Sequence, residues 1–298
     1  MAWWPFRRRG ASAANSRASD PTRRSIQGRR FLAGVPYVLP KDMQEINRLD
    51  FQHYMLRFAL RGNYAAPLAN PRDILDVGCG TGRWPFEMAQ QFPRANVVGL
   101  DLAPPPADDG AAHDTRPANY TFVAGNILEG LPFGDAAFDF THQRMLTGAI
   151  PEDRWQGVVN ELARVTRPGG WVELLEAGSA KGGGPALEAL NEWGITAAAR
   201  RGITINMSQR IGEFLLGAGL AQVTFREVPI PLGKYGGRLG TMMEANYFSA
   251  LENIRPLILA QGLTDSDTHA ETLRKARQEA ATGRAVVSYF VAYGRRAS

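Results

Sequence analysis

The chain has 298 residues, of which 44% are hydrophobic, 21% charged and 9% aromatic. This is an ordinary globular composition, and the length is sufficient to bury a substantial core. No apolar run approaches the roughly eighteen residues that cross a bilayer, and the single cysteine, Cys79, excludes an internal disulfide. A membrane-embedded protein and a disulfide-stapled secreted domain are therefore excluded. One cysteine and four scattered histidines also argue against a structural zinc cluster, so we expect no metal site.

The net charge of +5 is concentrated at the N-terminus. Residues 1–30 contain eight arginines and one aspartate, a charge of +7, which leaves −2 on residues 31–298. We interpret residues 1–30 as a disordered basic tail and residues 31–298 as the folded domain, with an organelle transit peptide as the alternative for the tail. The tail lacks the apolar stretch of a secretory signal, which predicts a cytoplasmic location. Because the folded body is slightly acidic, we expect neither a nucleic-acid partner nor a membrane partner.

The predicted elements begin with an amphipathic helix over residues 42–60. From residue 72 onward strand-like and helix-like segments alternate, which predicts an α/β fold built from parallel βαβ units. In chain order we expect strands at 74–77, 96–100, 120–124, 138–141 and 171–177, with helices at 83–92 and 155–165. Four prolines in residues 103–118 predict a loop where a crossover helix would normally lie. Helices at 186–200 and 207–218, a strand at 223–228, a helical insertion at 234–283 and a last strand at 285–293 complete the chain.

A glycine-rich loop with an acid before it directly follows the first of these strands. Its sequence is Asp76-Val77-Gly78-Cys79-Gly80-Thr81-Gly82. Glycines allow the backbone to pass close to a ligand because no Cβ blocks the approach. The dinucleotide pattern G-x-G-x-x-G would require glycine at position 83, which is Arg83. A carboxylate beside the loop suits a ligand with an ammonium group better than a pyrophosphate, although a simple tight turn is the alternative interpretation.

Polar side chains also follow the next strands. Asp101 ends the second strand, where an acid can accept both hydroxyls of an adenosine ribose. Asn126 follows the third strand, where a polar side chain can meet an adenine amino group, and the fourth strand leads through His142 and Gln143 to Arg144. Alone, Asp101 could equally be a helix cap or a solvated loop acid. Its combination with the glycine loop favours the ribose role.

Together these segments resemble the class I S-adenosylmethionine (SAM)-dependent methyltransferases. ILDVGCGTG is similar to the first motif of that family, VVGLDL to its second, LPFGDAAFDF to the approach to its fourth strand and RVTRPGGWVELLE to its fifth. The specific resemblance runs from about residue 74 to 178. A weaker one over most of residues 42–296 is to the LaeA-like branch, related to the UbiE-type enzymes (methyltransferase types 11 and 25). The resemblance implies a Rossmann-like doubly wound sheet of seven strands with the last antiparallel, an N-terminal helix and a helical insertion.

The resemblance also implies cofactor-binding roles for residues at the strand ends. Gly78, Cys79 and Gly80 form the loop beneath the methionine part, which Asp76 helps to orient. Asp101 binds the ribose, and Leu102 and Ile127 flank the adenine. Asn126 stands where the family usually has aspartate, so its amide is a neutral and weaker acceptor. Gln143 or Arg144 is expected to meet the methionine carboxylate, and the Cys79 side chain is most simply a packing residue.

Methyl transfer requires an in-line alignment of the acceptor and exclusion of water, so a general base is optional. His142 and His53 are the candidates to take a proton from the acceptor, and a structural or exposed histidine is the simpler interpretation of each. The N-P-P-[YFW] signature of amino-methylating nucleic-acid and protein enzymes is absent. We therefore expect transfer to oxygen or nitrogen of a small organic molecule, which the LaeA-like resemblance associates with secondary metabolism.

Other interpretations remain open at this point. The chain could instead be a SAM-binding regulator that acts through partner contacts, as LaeA-like relatives suggest, and a homodimer is open too. A NAD-linked reductase conflicts with Arg83 and Asp76, and no paired-acid motif supports an aminopropyl transferase. Residues 234–283 and the helix at 42–60 are expected to form a lid, with Tyr247 and Phe248 as candidate substrate contacts. Packing of that insertion against the sheet or a second subunit is the equal alternative.

Overall fold

The computed structural model describes residues 23–106 and 116–297. The chain begins with a short antiparallel hairpin of β1 (Arg23–Ile26) and β2 (Arg29–Leu32), followed by α1 (Met43–Leu60). The main sheet is then formed by β3 (Asp73–Val77), β4 (Asn96–Asp101), β5 (Tyr120–Ala124), β6 (Phe138–Arg144), β7 (Thr166–Lys181), β8 (Leu220–Pro231) and β9 (Val286–Arg296). Its helices are α2 (Arg83–Gln91), α3 (Trp155–Val165), α4 (Pro185–Ala199), α5 (Ile211–Gly217), α6 (Gly237–Ala260) and α7 (Ser266–Thr282).

The main sheet has the strand order β5-β4-β3-β6-β7-β9-β8. The pairs from β5 to β7 are parallel, whereas β9 lies antiparallel between β7 and β8. The order reverses between β3 and β6, and ligands of open α/β sheets bind outside the carboxyl ends of the strands at such a switch point. The predicted doubly wound sheet of seven strands, the last of them antiparallel, is confirmed.

The two faces of the sheet are covered by different helices, and alternating side chains of each strand pack against them. In β3, Ile74 packs with Trp84 and Met88 of α2, whereas Leu75 and Val77 pack with α3 and α5 on the other face. Successive side chains of a strand point to opposite faces, so a strand buried on both sides is apolar at most positions. This is why residues 74–77, which are apolar except for Asp76, predict a central strand.

The predicted insertion consists of α6 and α7. Together with α1 and α4 they cover the part of the sheet formed by β7, β8 and β9, in a separate core that includes Met55, Leu187, Met243, Phe248 and Tyr289. Within the described residues no helix is both long and apolar enough to cross a bilayer.

The boundary of the predicted basic tail requires a correction. Residues 1–22 lie outside the described residues, but residues 23–30, which we assigned to the tail, lie in the hairpin of β1 and β2. Arg29 is fixed there because its guanidinium donates to Asp42 (2.6 and 2.9 Å) and to Asn253 (3.0 Å). Arg29 is one of the eight arginines of the predicted tail, yet its partners belong to the folded domain. Composition alone does not reveal such partners. Disorder of residues 1–22 stays a prediction.

Candidate active site

A cavity of about 390 Å³ lies at the carboxyl ends of β3, β4, β5 and β6. One side, the strand-end wall, consists of cavity-lining residues within 76–81, 100–106, 125–128 and 144–149. The opposite side, the N-terminal cover, consists of cavity-lining residues within 30–52, from β2 to the middle of α1. The volume falls within the range of small-molecule sites, roughly 300–1,000 Å³.

The glycine loop forms the floor of the strand-end wall. Gly78 and Gly80 have φ angles of +73° and +54°, in the left-handed region that favours glycine. The amides of Gly78 and Cys79 both donate to the carbonyl oxygen of Leu100, at 2.7 and 3.0 Å. A Cβ on Gly80 would have no neighbour closer than 4.0 Å, so its open side leaves room for a ligand to approach the backbone.

Asp101 connects the glycine loop to the end of β4. Its Oδ2 accepts a hydrogen bond of 2.9 Å from the amide of Gly80. Its Oδ1 lies 3.3 Å from the ammonium nitrogen of Lys41, which belongs to the N-terminal cover. The predicted ribose acid thus lines the cavity at the point where the two sides meet.

Asp76 lines the cavity, but the candidate base His142 does not. The two residues are register partners on β3 and β6, and Asp76 Oδ1 lies 2.8 Å from His142 Nδ1. His142 is stacked on Trp84 with ring centroids 3.9 Å apart, and burial lowers its pKa from the ordinary value. A neutral imidazole donating from Nδ1 therefore orients the Asp76 carboxylate. The candidate role of His142 as a base on the acceptor is corrected accordingly, because its ring is enclosed behind Asp76.

Arg144 lines the cavity, whereas its neighbour Gln143 does not and donates its side-chain amide to Glu176 of β7. The Arg144 guanidinium donates to Nδ1 of His53 (2.9 Å), and Nε2 of His53 lies 3.3 Å from a carboxylate oxygen of Glu87. Burial, with Arg144 as the next cause, lowers the pKa of His53 to about 4. His53 is therefore a neutral acceptor that positions Arg144, and since it does not line the cavity, its candidate role as a base is also corrected.

Four further predicted cofactor residues also line the cavity: Asn126, Leu102, Ile127 and Cys79. Asn126 caps a short 3-10 helix: its Oδ1 accepts from the amide of Leu128 (3.1 Å) and its Nδ2 donates to Glu129 (2.9 Å). Leu102 is 43% exposed, and Ile127 is half-buried. Cys79 is buried, and burial followed by the Asp76 charge raises the pKa of its thiol, which supports a packing role.

A buried polar network attaches the N-terminal cover to the helical insertion. Arg48 donates to Glu45 (2.5 and 2.8 Å) and to Asn246 of α6 (2.9 Å), and Asn253 of α6 donates to Glu45 (2.5 Å). Both charged side chains are nearly inaccessible, with 7% of Arg48 and 1% of Glu45 exposed. A buried pair of this kind requires additional hydrogen bonds to offset desolvation, and α6 provides them.

The structure separates the two segments of the predicted lid. Residues within 42–52 line the cavity, so a lid formed by α1 stays a prediction, whereas no residue of 234–283 lines it. The Tyr247 hydroxyl donates to Asn191 (2.5 Å) and accepts from the amide of Ala180 (3.0 Å), and Phe248 is fully buried. Tyr247 and Phe248 are thus packing residues, which corrects their candidate role as substrate contacts. The insertion supports α1 from behind the cover.

Sequence reasoning missed the cavity-lining residues between β2 and α1, among them Tyr37 and Lys41. The pattern Asp42-x-x-Glu45 marks the start of α1, and the Asp42 side chain indeed accepts from the amide of Glu45 (3.2 Å). That signal locates the helix but does not indicate what the preceding segment contacts.

The site suits a ligand with both ammonium and hydroxyl groups. The Asp76 and Asp101 carboxylates, the open glycine backbone and the Arg144 guanidinium line the cavity together. Carboxylates attract an ammonium group and accept from hydroxyls, while guanidinium pairs with a carboxylate. These groups match the amino-acid and ribose parts of SAM, so the residues present fit the cofactor that the motifs predict.

The comparisons with known proteins agree with this geometry. A family described as "Methyltransferase domain" matches residues 74–170, from β3 into β7. The chain is 28% identical over 278 residues to the methyltransferase str2 of Strobilurus tenacellus, covering 87% of this chain and 95% of that protein. It is 32% identical over 221 residues to the N-methyltransferase sirN of Leptosphaeria maculans, covering 70% of this chain and 76% of that protein.

A third relative is the secondary metabolism regulator laeA of Aspergillus fumigatus. It is 36% identical over 146 residues, which cover 47% of this chain and 36% of that protein. The similarity therefore spans little more than a third of the regulator, and it concerns a shared segment rather than two whole proteins.

Proposed function

The chain belongs to the SAM-dependent methyltransferases, and we propose that it transfers the methyl group of SAM to an oxygen or nitrogen atom of a small, uncharged and largely apolar molecule. The observation that carries the proposal is the cavity between two unlike sides, the strand-end wall and the N-terminal cover. SAM, when bound, supplies a methyl group that its sulfonium has already activated. The chain therefore has to bind SAM and the acceptor, orient them for the transfer and exclude water.

We assign the cofactor to the strand-end wall. Asp76 and the backbone of Gly78, Cys79 and Gly80 hold the methionine part, and Arg144 pairs with its carboxylate. Asp101 accepts from the ribose hydroxyls, with Leu102 and Ile127 beside the adenine and Asn126 next to them. These roles follow from the chemistry of each side chain and from its position on the cavity. We assign no cofactor contact to Gln143, because its amide donates to Glu176 of β7.

We assign the acceptor to the N-terminal cover, whose lining is mainly apolar. Leu32, Val35, Met43, Ile46 and Leu49 contribute this surface. Its acidic groups have cationic partners, because Asp42 pairs with Arg29 and Glu45 with Arg48. A charged acceptor would have to compete with these pairs, whereas an uncharged one would not.

Tyr37 is the polar group of the cover that we expect to orient the acceptor. It lines the cavity, and burial, reinforced by the nearby Glu45 carboxylate, raises the pKa of its phenol. The hydroxyl thus stays protonated at neutral pH and can donate a hydrogen bond. Neither His53 nor His142 lines the cavity, so we assign neither of them as a base on the acceptor and propose a transfer that depends on alignment.

The named relatives support the same type of reaction. Two of them are called methyltransferases, one of these an N-methyltransferase, and the third is called a regulator of secondary metabolism. From these names we propose a place in secondary metabolism with a small-molecule partner. The cytoplasmic location expected from the sequence stays a proposal. A homodimer and the regulatory role through partner contacts stay hypotheses.

The experiment is to incubate the protein with cell extract and SAM that carries an isotopically labelled methyl group, followed by mass spectrometry. We expect a small molecule to gain the labelled methyl on oxygen or nitrogen with the natural chain, and to gain less of it with Asp101→Ala at a SAM concentration that does not saturate the variant. Label that appears only in protein or nucleic acid would contradict the proposed acceptor class. A chain that binds SAM without any labelled product would favour the regulatory alternative.

A further inference from the structure

Glu176 is a fully buried carboxylate on β7, and it does not line the cavity. It accepts four hydrogen bonds, all from the end of β6 or the segment that follows. Oε1 accepts from the Gln143 amide and from the backbone amide of Leu146 (2.9 Å). Oε2 accepts from the backbone amide and the hydroxyl of Thr147, at 2.9 and 2.6 Å. A buried carboxylate requires hydrogen-bond donors of this kind. Here all of the donors belong to one short segment, residues 143–147.

The segment that Glu176 holds is strained and contacts the cavity. Met145 has a φ angle of +60°, which is unfavourable for a residue with a side chain. Met145, Leu146 and Ala149 line the cavity. The hydrogen bonds to Glu176 come from residues on both sides of Met145, at positions 143, 146 and 147. Such an arrangement can maintain a conformation that the local sequence would not adopt alone.

Within this segment, the side chain of Leu146 packs against the glycine loop. A Cβ placed on Gly78 would lie 2.6 Å from Cδ2 of Leu146, so the two residues are in close packing. A displacement of Leu146 would therefore remove a support of the loop that borders the cavity.

We propose that Glu176 is a positioning residue of the SAM site: its carboxylate holds residues 143–147 so that Leu146 supports the glycine loop. This inference rests on the proposed assignment of SAM to the strand-end wall. It explains the second of the two buried glutamates, Glu173 and Glu176, in the mostly apolar stretch WVELLEAG of β7 over residues 171–178.

Glu173, three positions earlier on β7, provides a matched control. It is also buried, with 1% exposed, and burial raises the pKa of each of the two carboxyl groups to about 7. Its Oε2 accepts from the amides of Ala65 (2.8 Å) and Ala66 (2.6 Å), which do not line the cavity. Substitutions at the two positions thus disturb similar buried groups, but only one of them acts on the cavity.

The experiment compares the full chain with its Glu176→Gln and Glu173→Gln variants at pH 8, with S-adenosylhomocysteine as the probe. Calorimetry measures its dissociation constant, and amide hydrogen exchange reports on residues 143–149. For Glu176→Gln we expect roughly tenfold weaker binding and faster exchange at Leu146 and Thr147, since a charged acceptor of four hydrogen bonds is lost. For Glu173→Gln we expect binding within about twofold of the natural chain at a similar loss of melting temperature.

Equal binding by the natural chain and a folded Glu176→Gln variant would overturn the proposal, and so would equal weakening by both variants. If Glu176→Gln does not fold, Thr147→Val removes one donor only and should weaken binding roughly threefold. Unchanged affinity in that variant would also overturn the positioning role. A natural chain that does not bind the probe would refute the assignment of SAM to the strand-end wall, and hydrogen exchange would then still show whether Glu176 holds residues 143–147.

Discussion

The two sides of the cavity are built in different ways. The strand-end wall takes its cofactor residues from the carboxyl ends of parallel strands and the turns after them, all within residues 76–144 of the chain. The N-terminal cover takes its residues from one continuous stretch, 30–52, whose fixed position depends on α6, about 200 residues further along the chain. Local motifs therefore specify the first side, and long-range contacts specify the second.

This difference has a functional consequence. Parallel strands that end at the same edge bring their last residues together in every sheet of this topology, so the same ligand can be bound whenever those residues are kept. The cover has no such constraint, and its lining can change without loss of the sheet. We therefore infer that the strand-end wall determines the cofactor and that the cover determines the acceptor.

The largest effect is expected at the attachment of the cover. Arg48→Met leaves the buried Glu45 carboxylate without its cationic partner. Removing one partner of a buried ion pair costs about 3–5 kcal/mol, so the free energy of unfolding in urea should fall by that amount. The double variant Glu45→Gln/Arg48→Met should recover part of the loss.

Arg57→Met is the control on the same helix. Arg57 pairs with Glu87, but half of its side chain is exposed. An exposed pair contributes about 0–1 kcal/mol, so this variant should remain close to the natural chain in stability. A loss at Arg57 as large as that at Arg48 would mean that burial does not distinguish the two pairs.

The second prediction concerns Glu173, which holds residues 65 and 66, where the chain returns from α1 to the sheet. Burial raises its pKa to about 7, whereas an unfolded chain titrates near 4.3. The unfolded state thus binds fewer protons than the folded state between these values, and stability is lost as pH rises from about 4.5 to about 7. Glu173→Gln does not titrate, so its stability relative to the natural chain should rise by up to about 3 kcal/mol between pH 5 and pH 8.

Urea unfolding at several pH values measures this difference. Glu87→Gln serves as the control, because the pKa of Glu87 is lowered to about 2, mainly through Arg57 and Asn63 hydrogen bonds that overcome desolvation. Its stabilising contribution is complete above pH 5, so the difference between this variant and the natural chain should stay constant from pH 5 to pH 8. A constant difference for Glu173→Gln would contradict the raised pKa.

Asp101→Ala tests the strand-end wall. The substitution removes a charged acceptor from the proposed ribose site and a partner of the Gly80 amide. We expect a loss of about 1.5–3 kcal/mol in binding S-adenosylhomocysteine, which corresponds to roughly ten- to hundredfold in the dissociation constant. Asp135→Ala, at a side chain that is 73% exposed, should bind as the natural chain does. Unchanged affinity in Asp101→Ala would exclude the ribose role.

The smallest effect is expected at the contact between the two sides. Lys41 and Asp101 form a partly exposed ion pair at 3.3 Å, and such pairs contribute about 0–1 kcal/mol. Lys41→Met should therefore change the affinity for S-adenosylhomocysteine by less than about fivefold, as should the exposed control Lys234→Met. A tenfold loss in Lys41→Met alone would place Lys41 in the cofactor site and remove the distinction between wall and cover.

Most of the sheet could be predicted because its signals are local. The mostly apolar segment 74–77, the alternation of strands and helices and the glycine loop each lie within a few residues of the feature that they specify. β6 and β7 extend beyond the predicted ends by several residues, to Arg144 and to Lys181. In the extension of β6, His142, the Gln143 amide nitrogen and Arg144 have partners on other elements, which a periodicity of side chains does not show.

The errors concern residues whose role depends on distant partners. Arg29 lies in a segment of tail-like composition, yet its partners are Asp42 and Asn253. Tyr247 lies on a helix with the predicted spacing, but only the fold shows that its hydroxyl meets Asn191. Glu176 lies between the predictable and the unpredictable residues. A charge within a mostly apolar strand indicates a buried partner, but the sequence does not identify that partner.

The most direct measurement of the central claim is a calorimetric titration of the full chain with S-adenosylhomocysteine, beside an identical titration with NAD. The account predicts saturable binding of S-adenosylhomocysteine with one molecule per chain and no binding of NAD. This follows because the Asp76 carboxylate suits an ammonium-bearing ligand, and because Arg83 stands where the dinucleotide pattern G-x-G-x-x-G requires glycine. Binding of NAD, or the absence of binding by S-adenosylhomocysteine, would contradict the assignment of the strand-end wall to SAM.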